Sequence, residues 1–277
     1  PRRDNLSFQD MVIFFHFYSW LSFLLSPFIK LWVYYRLKKG LEERPHLSQR
    51  FGISSRLRPE GPVIWFHAAS VGETLSLTTL LKLYKEEYPH HHLLLTTTTV
   101  TAAKLARERL EGVCYHQYVP FDANQWVIRF LKFWKPTKVI LVESEWWPNL
   151  IWQTRKLKIP LVLLNARLSD KSYKRWLSLR FIARKLLENF DVCLTSSNEI
   201  EERLKTLGAP FIKRCPHLKF AVEPLPVEPS KLEQLQALIL DRPTWIAAST
   251  HPGEEDLILK AHQSLRKSFP DLLTIII

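Results

Sequence analysis

The sequence predicts an α/β protein with a doubly wound parallel sheet. From residue 62 onward, short apolar runs alternate with stretches of helical character such as Ala102–Leu110 and Asn198–Leu207. The apolar residues of each run are consecutive, which is typical of parallel strands buried on both faces. This βαβα order favours a doubly wound sheet. The predicted strands are Val63–His67, His92–Thr98, Lys138–Val142, Pro160–Asn165, Asp191–Thr195 and Trp245–Ser249.

Composition indicates a globular protein with a strong positive charge. The chain has 277 residues, of which 46% are hydrophobic, so a large core can form and general disorder is excluded. The net charge of +12 favours an anionic partner: nucleic acid, an acidic membrane surface or a phosphorylated substrate. Three cysteines without a CxxC pair or zinc-type spacing argue against a metal site and a disulfide framework. No metal is therefore expected.

The N-terminal run Met11–Ile29 contains no Asp, Glu, Lys or Arg and is about long enough to cross a bilayer. Basic residues follow it, which would keep the remainder of the chain on the cytoplasmic side. The sequence thus predicts that residues 1–40 form a single N-terminal membrane anchor with a basic flank. A helix lying in the membrane surface is the alternative. The basic residues are Lys30, Arg36, Lys38, Lys39, Arg44 and Arg50.

A proline-rich segment divides the chain. Pro224, Pro226 and Pro229 predict a stiff, extended connector. Residues 41–220 then form one α/β domain, and residues 221–277 form the linker and the start of a second one. Because the chain stops within an apolar run that reads as a buried strand, we expect the second domain to be truncated.

The turn after the first predicted strand is the first candidate site. Ser70, Gly72 and Glu73 lie beyond the carboxyl end of a strand, where open parallel sheets bind ligands. Gly72 would let a ligand approach the backbone, and a helix N-terminus favours an anion. Glu73 could act as a general base, or it could only complement the helix dipole.

Two acids follow the strand at 138–142. Glu143 and Glu145 would point to one side if strand geometry continued through them. Adjacent carboxylates shift each other's pKa, which suits acid–base chemistry, and unpaired buried charge is costly. Trp146 and Trp147 could stack on a sugar ring or pack under a loop. The alternative for the acids is a solvated loop.

Two later strand ends carry further candidates. Arg167 could clamp a phosphate or a carboxylate, or it could be an ordinary surface residue. Ser249 and His251 lie in a turn whose backbone N–H groups could cradle a phosphate, with His251 as an additional donor. Helix capping by Ser249 or Thr250 is the alternative.

Five segments, in this order, resemble the lipid A 3-deoxy-D-manno-octulosonic acid (Kdo) transferase family, and the likeness extends over the whole chain. Each motif is moderately specific alone, and their common order is a strong signal. The segments are the Ser-(Val/Ile)-Gly-Glu turn at Ser70–Glu73, Val119–Asp122, the E-x-E-x-W-P motif at Glu143–Pro148, Asn165–Ser169, and the Ser-x-His-x-Gly-Glu turn at Ser249–Glu254.

The resemblance implies a GT-B fold, in which an N-terminal domain binds the acceptor lipid and a C-terminal domain binds CMP-Kdo. It implies inverting transfer to a hydroxyl of the lipid A precursor, without a metal or other cofactor, at the cytoplasmic face of a bacterial inner membrane. Glu73 would be the general base and Glu143 a second essential carboxylate. Ser70, Gly72, Glu145, Arg167 and Lys219 would bind substrate, with Ser249 and His251 on the donor.

The sequence departs from the family at one motif. The usual Gly-Asn-Leu-Lys-Phe reads Pro216-His217-Leu218-Lys219-Phe220 here, which changes the predicted domain junction. The family also extends well beyond residue 277, so we expect weak or absent catalysis if these residues are the whole product.

Three other function classes compete. A glycoside hydrolase also uses two carboxylates but needs neither an anchor nor a nucleotide domain. A nucleic-acid-binding protein would account for the charge, but no recognisable binding module is present. A non-catalytic membrane-associated fragment is the third.

Overall fold

The computed structural model describes residues 8–218 and 227–277. The chain divides into two compact units, Pro1–Glu223 and Pro224–Ile277. Most of the predicted connector lies outside the described residues. The predicted roles of the two units stay predictions.

The first unit begins with helices α1 (Phe8–Leu24) and α2 (Ser26–Lys38) and a 3₁₀ helix at Arg44–Phe51. Alternating strands and helices follow. They are β1 (Val63–His67), α3 (Val71–Glu87), β2 (His92–Thr97), α4 (Val100–Arg109), β3 (Tyr115–Tyr118), α5 (Asn124–Trp134), β4 (Lys138–Val142), α6 (Pro148–Lys156), β5 (Leu161–Leu164), α7 (Asp170–Ser178), α8 (Arg180–Leu187), β6 (Val192–Thr195), α9 (Asn198–Leu207) and β7 (Ile212–Arg214).

The second unit contains α10 (Pro229–Ile239), β8 (Thr244–Ala247), α11 (Glu255–Leu265) and β9 (Leu273–Ile276). Strands β8 and β9 pair in parallel, so the predicted strand at the end of the chain is present.

The first unit is built on one parallel sheet, which confirms the predicted α/β class. Its described strands lie in the order β3-β2-β1-β4-β5-β6-β7, and each neighbouring pair is parallel. Chain order runs outward in both directions from β1 and β4. This reversal makes a crevice beyond the carboxyl ends of β1 and β4, the place where such sheets bind ligands.

The central strands alternate between two cores, one on each face of the sheet. Trp65 and Val139 belong to one cluster, whereas Phe66 and Ile140 belong to the other. Helix α5 closes the first cluster with a buried stripe at helical spacing. That stripe consists of Trp126, Val127, Phe130, Leu131 and Trp134.

The prediction of a single spanning helix over Met11–Ile29 is not confirmed. The run is divided at Leu25 between α1 and α2, with Pro27 in the first turn of α2, where its missing N–H costs no helical hydrogen bond. Within residues 8–218 and 227–277, no helix combines the length and the hydropathy that crossing a bilayer requires.

Helix α1 also packs against protein on one side. The Phe15 ring stacks on Trp152 of α6 with centroids 4.5 Å apart. The Ser19 hydroxyl donates to Asn149 Oδ1 at 2.7 Å, and Asn149 Nδ2 donates to the Ser22 hydroxyl at 2.9 Å. The serines that weaken the run as a lipid-facing span therefore attach α1 to α6.

Buried Arg50 connects the segment after α2 to the sheet. Its Nε donates to Glu42 at 2.8 Å, and Glu42 also accepts from Arg36 of α2 at 2.8 Å. The guanidinium lies 4.3 Å from the centroid of the Tyr118 ring and donates to the Thr98 carbonyl. A buried charge with this many partners holds α2 and the 3₁₀ helix in one arrangement.

Gly52 permits close approach of the 3₁₀ helix to α5, which predicts a large effect of substitution. Its φ is +72°, and a Cβ atom there would lie 2.2 Å from the Trp126 carbonyl oxygen. Gly40 has a similar φ of +70°, with open space around a Cβ.

In urea unfolding, we expect Gly40→Ala to lower the free energy of unfolding by about 1 kcal/mol, from backbone strain alone. Gly52→Ala should cost at least about 2 kcal/mol more, because the overlap forces the backbone to shift. Equal losses in the two variants would contradict this packing.

Candidate active site

The predicted acidic residues of the first unit gather at the crevice between β1 and β4. Glu73 reaches it from the first turn of α3, after β1. Glu143 and Glu145 lie in the loop that follows β4. Arg167 comes from the loop after β5, the next strand in the sheet. Three chain segments thus deliver carboxylates and a guanidinium to one edge, as their order in the sheet requires.

Glu73 is held by the helix that it begins. Ser70 is the N-cap of α3, and its hydroxyl accepts from the Glu73 N–H at 3.3 Å. In return, the Glu73 carboxylate accepts from the Ala69 N–H at 2.7 Å and from the Ser70 hydroxyl at 2.9 Å. This reciprocal arrangement is a variant of the capping box, because the carboxylate reaches the N–H of Ala69, one residue before the N-cap, in place of the N–H of Ser70. Glu73 thus lies where it also complements the helix dipole, the alternative that the sequence left open, and these hydrogen bonds fix the position of its carboxylate.

The electrostatic setting of Glu73 suits a base. Burial raises the pKa of this carboxyl, and the charges of Glu145 and Glu143 raise it further, against the lowering effect of the bonds from Ala69 and Ser70. A carboxylate with a raised pKa takes up a proton more readily. Two of its acceptor positions are used by Ala69 and Ser70, and a carboxylate has about four.

Glu145 has the opposite setting. Burial acts to raise its pKa, but hydrogen bonds from His67 and Trp147 and the proximity of His67 lower it overall. His67 Nε2 lies 3.3 Å from Glu145 Oε2, and the Trp147 indole donates to the same oxygen. On the other side of the ring, His67 Nδ1 lies 2.9 Å from the Thr96 hydroxyl. Since a carboxylate only accepts, Nε2 is the donor that keeps Glu145 ionised.

His67 and Thr96 lie in two of the predicted strands, and the sequence assigns neither of them a functional role. Both are fully buried, at facing positions of β1 and β2. No spacing rule links His67 to Glu145, because they meet only when β1 and β4 become neighbours in the sheet.

Glu143 lies in a strained turn. Strand β4 ends at Val142, and Glu143 has a φ of +60°, so strand geometry does not continue through Glu143, which was the condition for both acids to point to one side. Asn165, after β5, also has a positive φ of 54°. Left-handed backbone at non-glycine residues costs free energy and is common at functional sites. Arg167 Nη1 and Asn165 Nδ2 each lie 3.5 Å from Glu143 Oε1.

Asp122 positions the loop that carries the acids. Its carboxylate accepts from the backbone N–H groups of Asn149 at 3.0 Å and Leu150 at 2.9 Å, in the first turn of α6. Burial raises its pKa to about 6, although these bonds and one from Tyr18 act to lower it. Asp122 thus caps α6 from a distant part of the chain, where Trp147 makes no side-chain cap. The sequence marked it only as part of a family-like segment.

The remaining residues that the sequence predicts as substrate-binding differ in where they lie. Gly72 is exposed in the first turn of α3, with open space where a Cβ would be. Lys219 lies outside the described residues. Ser249 and His251 belong to the second unit, where both are exposed and Ser249 has a φ of +59°.

The turn that contains His251 already uses its own donors. The N–H of His251 donates to Glu254 at 2.9 Å, and that of Gly253 donates to Glu255 at 2.9 Å. Helix α11 starts at Glu255 without a side-chain cap, so neither Ser249 nor Thr250 caps it. A bound phosphate would have to take over these two donors.

Acidic, histidine and cysteine side chains do not assemble into a metal-binding group of three or more in the part of the chain that the structure describes. The carboxylates of the crevice are instead partnered by hydrogen-bond donors. The expectation that no metal takes part stays a prediction.

Among solved structures, the fold is similar to that of the UDP-GlcNAc 2-epimerase from Neisseria meningitidis bound to UDP-GlcNAc. The TM-score is 0.51 at 13% identity, over 78% of this chain and 65% of that one. A putative UDP-N-acetylglucosamine 2-epimerase from Listeria monocytogenes gives a TM-score of 0.50 at 11% identity, over 77% and 61%. At this identity the likeness concerns the fold alone.

Sequence relatives are closer. A probable mitochondrial 3-deoxy-D-manno-octulosonic acid transferase of Arabidopsis thaliana is 37% identical over 96% of this chain and 61% of its own length. The 3-deoxy-D-manno-octulosonic acid transferases of Rickettsia bellii and Haemophilus influenzae are each 33% identical, over 94% of this chain and 62% of theirs. The chain thus spans about three fifths of the length of these curated relatives.

The family described as 3-deoxy-D-manno-octulosonic-acid transferase (kdotransferase) matches residues 45–222, a range that includes β1 to β7 and the acidic crevice. By this match and by its relatives, the chain belongs to the Kdo transferase family.

Proposed function

We propose that the protein is an inverting glycosyltransferase of GT-B type that moves Kdo from CMP-Kdo to a hydroxyl of a lipid A precursor. The observation that carries the proposal is the acidic crevice, where Glu73 has a raised pKa beside the ionised Glu145. Membership of the Kdo transferase family favours transfer over the glycoside hydrolase alternative. No single feature of the described residues favours hydrolysis.

In the proposed reaction, Glu73 accepts the proton of the acceptor hydroxyl while the hydroxyl oxygen attacks the anomeric carbon of Kdo. The bond from that carbon to the phosphate oxygen breaks, and CMP departs with the electron pair. Positive charge develops on the sugar during this displacement, and the carboxylates of Glu143 and Glu145 would stabilise it. Arg167, in turn, would contact an anionic group of either substrate.

The donor would be bound in part by the second unit. Ser249 and His251 are exposed in a strand-to-helix turn, and the N–H groups that Glu254 and Glu255 now occupy could pass to the donor's phosphate. Lys219 is proposed as a further cationic contact, on the family resemblance. No metal or other cofactor takes part in the proposal.

The lipid acceptor requires access to a membrane, and α1 and α2 offer an apolar surface for it. Large apolar side chains are exposed along both helices, although α1 is attached to α6 on its other side. Two basic side chains lie over aromatic rings in this region. Arg36 of α2 lies over Trp32, and Lys39, at the C-terminal end of α2, lies over Tyr35. This combination is typical of helices that lie in the membrane surface and bind acidic lipids.

We propose that the protein binds the cytoplasmic face of a bacterial inner membrane through this surface of α1 and α2. The exposed apolar residues are Ile13, Phe17, Trp20, Phe23, Leu24, Leu25, Phe28, Leu31, Trp32, Tyr34 and Tyr35.

The proposed reaction predicts loss of transfer on removal of the base. Glu73→Gln keeps the size of the side chain and an acceptor for the N-terminal turn, but it cannot take up the proton. We expect kcat for Kdo transfer from CMP-Kdo to the tetra-acylated lipid A precursor to fall by a factor of about 100 to 10,000. Glu86→Gln, an exposed position on the same helix, should transfer as the parent does. Equal activity of the folded Glu73→Gln variant and the parent would exclude Glu73 as the base.

The coupling between Glu73 and Glu145 predicts a shift in pH dependence. Only ionised Glu73 can accept a proton, so transfer should decline as the pH falls through the pKa of Glu73. Glu145→Gln removes a like charge that raises this pKa. The acidic limb of the kcat/KM profile should therefore move to lower pH, whatever happens to the maximal rate. An acidic limb that stays in place, or moves to higher pH, would contradict the coupling.

The proposed membrane surface predicts a specific loss of lipid binding. Trp20 and Phe28 are 60% and 67% exposed. The double variant Trp20→Glu, Phe28→Glu should lower the fraction of protein that sediments with vesicles containing acidic phospholipid, since two charges would enter the apolar interface. Leu57→Glu is the control, because Leu57 is 90% exposed in a separate loop. Equal sedimentation of the double variant and the control would contradict the surface assignment.

A further inference from the structure

An open cavity adjoins the acidic crevice on the β5 side of β4. Its volume is about 280 Å³, close to the lower end of small-ligand pockets. One wall is the loop that follows β4, and the other is helix α7 together with Leu168, two residues before the helix. The lining residues are Ser144, Glu145, Trp146, Trp147, Pro148, Leu168, Ser172, Arg175 and Trp176. Because Glu145 belongs to both the cavity and the crevice, a molecule in the cavity would lie next to the proposed reaction site.

The α7 wall comes from one helical face. Leu168 precedes the helix, and Ser172, Arg175 and Trp176 follow at spacings that place them on the same side. Helix α7 buries no residue fully, although Trp176 packs in part against the first core cluster. Packing thus accounts for part of the Trp176 ring, whereas Arg175 on the same face is exposed.

Arg175 is an unpaired cation. Within residues 8–218 and 227–277, its guanidinium has no carboxylate partner, and neither do the ammonium groups of Lys171 and Lys174 on the same helix. Nearby, Arg203 differs, because it pairs with both Asp170 and Glu199. The rim of the cavity thus has positive charge available for an anion, and a guanidinium matches the oxygens of a phosphate in two-point contact.

Tryptophans provide the apolar part of the cavity. Trp146 and Trp176 are 5.1 Å apart between ring centroids and tilted by 40°. Trp146 is buried in the first core cluster, so it packs against protein, and the neighbouring Trp176 ring belongs to helix α7 and not to a loop. Trp147 and Trp176 pack in part against the core and are only partly buried, so part of each side chain remains for a ligand. Glu145 and Ser144, also in the lining, can bond hydroxyl groups.

We propose that this cavity binds the phosphorylated hexosamine ring of a glycolipid acceptor, with the ring against Trp147 and Trp176 and the phosphate on Arg175. The proposal rests on the proposed function and names the part of the acceptor that is held at this site. An acyl chain suits the cavity poorly, because Ser144, Glu145, Ser172 and Arg175 are polar. A sugar phosphate matches both the aromatic surfaces and the cation. A hydroxyl of the sugar would then face Glu145 and the crevice.

Calorimetric titration with glucosamine 6-phosphate tests the assignment without a donor. Arg175→Ala should weaken binding by at least about tenfold, as expected for loss of a charge-assisted contact. Arg180→Ala removes an exposed arginine of α8 that does not line the cavity, and it should bind as the parent does. Trp176→Leu keeps an apolar side chain but removes the ring, so it should weaken binding of both glucosamine 6-phosphate and glucosamine.

Three outcomes would overturn the proposal. The first is equal affinity of Arg175→Ala and Arg180→Ala. In the second, inorganic phosphate binds as tightly as glucosamine 6-phosphate, which would make the cavity a general anion site. In the third, CMP binds more tightly than glucosamine 6-phosphate, and Arg175→Ala weakens the binding of CMP. That result would assign the cavity to a nucleotide.

Failure of the cavity assignment can be distinguished from failure of the proposed function. Glu73→Gln should bind glucosamine 6-phosphate as the parent does, because Glu73 does not line the cavity. If the parent binds glucosamine 6-phosphate but transfers no Kdo, the proposed reaction would be overturned and the cavity assignment would stand. If the parent transfers Kdo and Arg175→Ala has the same KM for the acceptor as the parent, the cavity assignment alone would be overturned.

Discussion

A parallel sheet that is covered on both faces constrains everything else in the first unit. Its central strands have no solvent-facing side, so they consist almost wholly of apolar residues, and polar groups are confined to the strand ends. The fully buried His67 and Thr96 stand at these ends and satisfy each other by a hydrogen bond. Glu73, Glu143 and Glu145 follow just beyond the same edge. The crevice is acidic because the turns that follow β1 and β4 bring these carboxylates to the same edge of the sheet.

The three carboxylates differ because their partners differ. Glu73 has donors from its own capping box but feels two like charges, whereas Glu145 has the donors of His67 and Trp147. Neighbouring carboxyl groups with pKa values shifted in opposite directions are a common basis for dividing acid–base roles. The fixed positions matter as much as the charges. Asp122 caps α6 and thereby holds the loop that presents Glu145, and the capping box holds Glu73.

The N-terminal helices show how one apolar segment can serve two environments. One side of α1 attaches to α6 through Phe15, Ser19 and Ser22, while Phe17 and Trp20 remain exposed. The single spanning helix was predicted from the length of the run and its lack of charge, which do not distinguish apolar contact with protein from contact with lipid. The break near Pro27 and the polar contacts of the serines decide against one continuous helix.

The sequence by itself determined the α/β class, the six apolar strands, the candidate turns and the family, because these depend on local periodicity and on motifs that are contiguous in the chain. It missed β3 and β7, the two edge strands, whose polar residues lack the continuous apolar pattern of buried strands. Only the tertiary structure decided that β1 and β4 are neighbours. That adjacency brings His67 to Glu145 and both glutamates of the later motif to Glu73. Likewise, the cap that Asp122 provides and the cavity beside Arg175 come from residues far apart in sequence, and no local rule relates them.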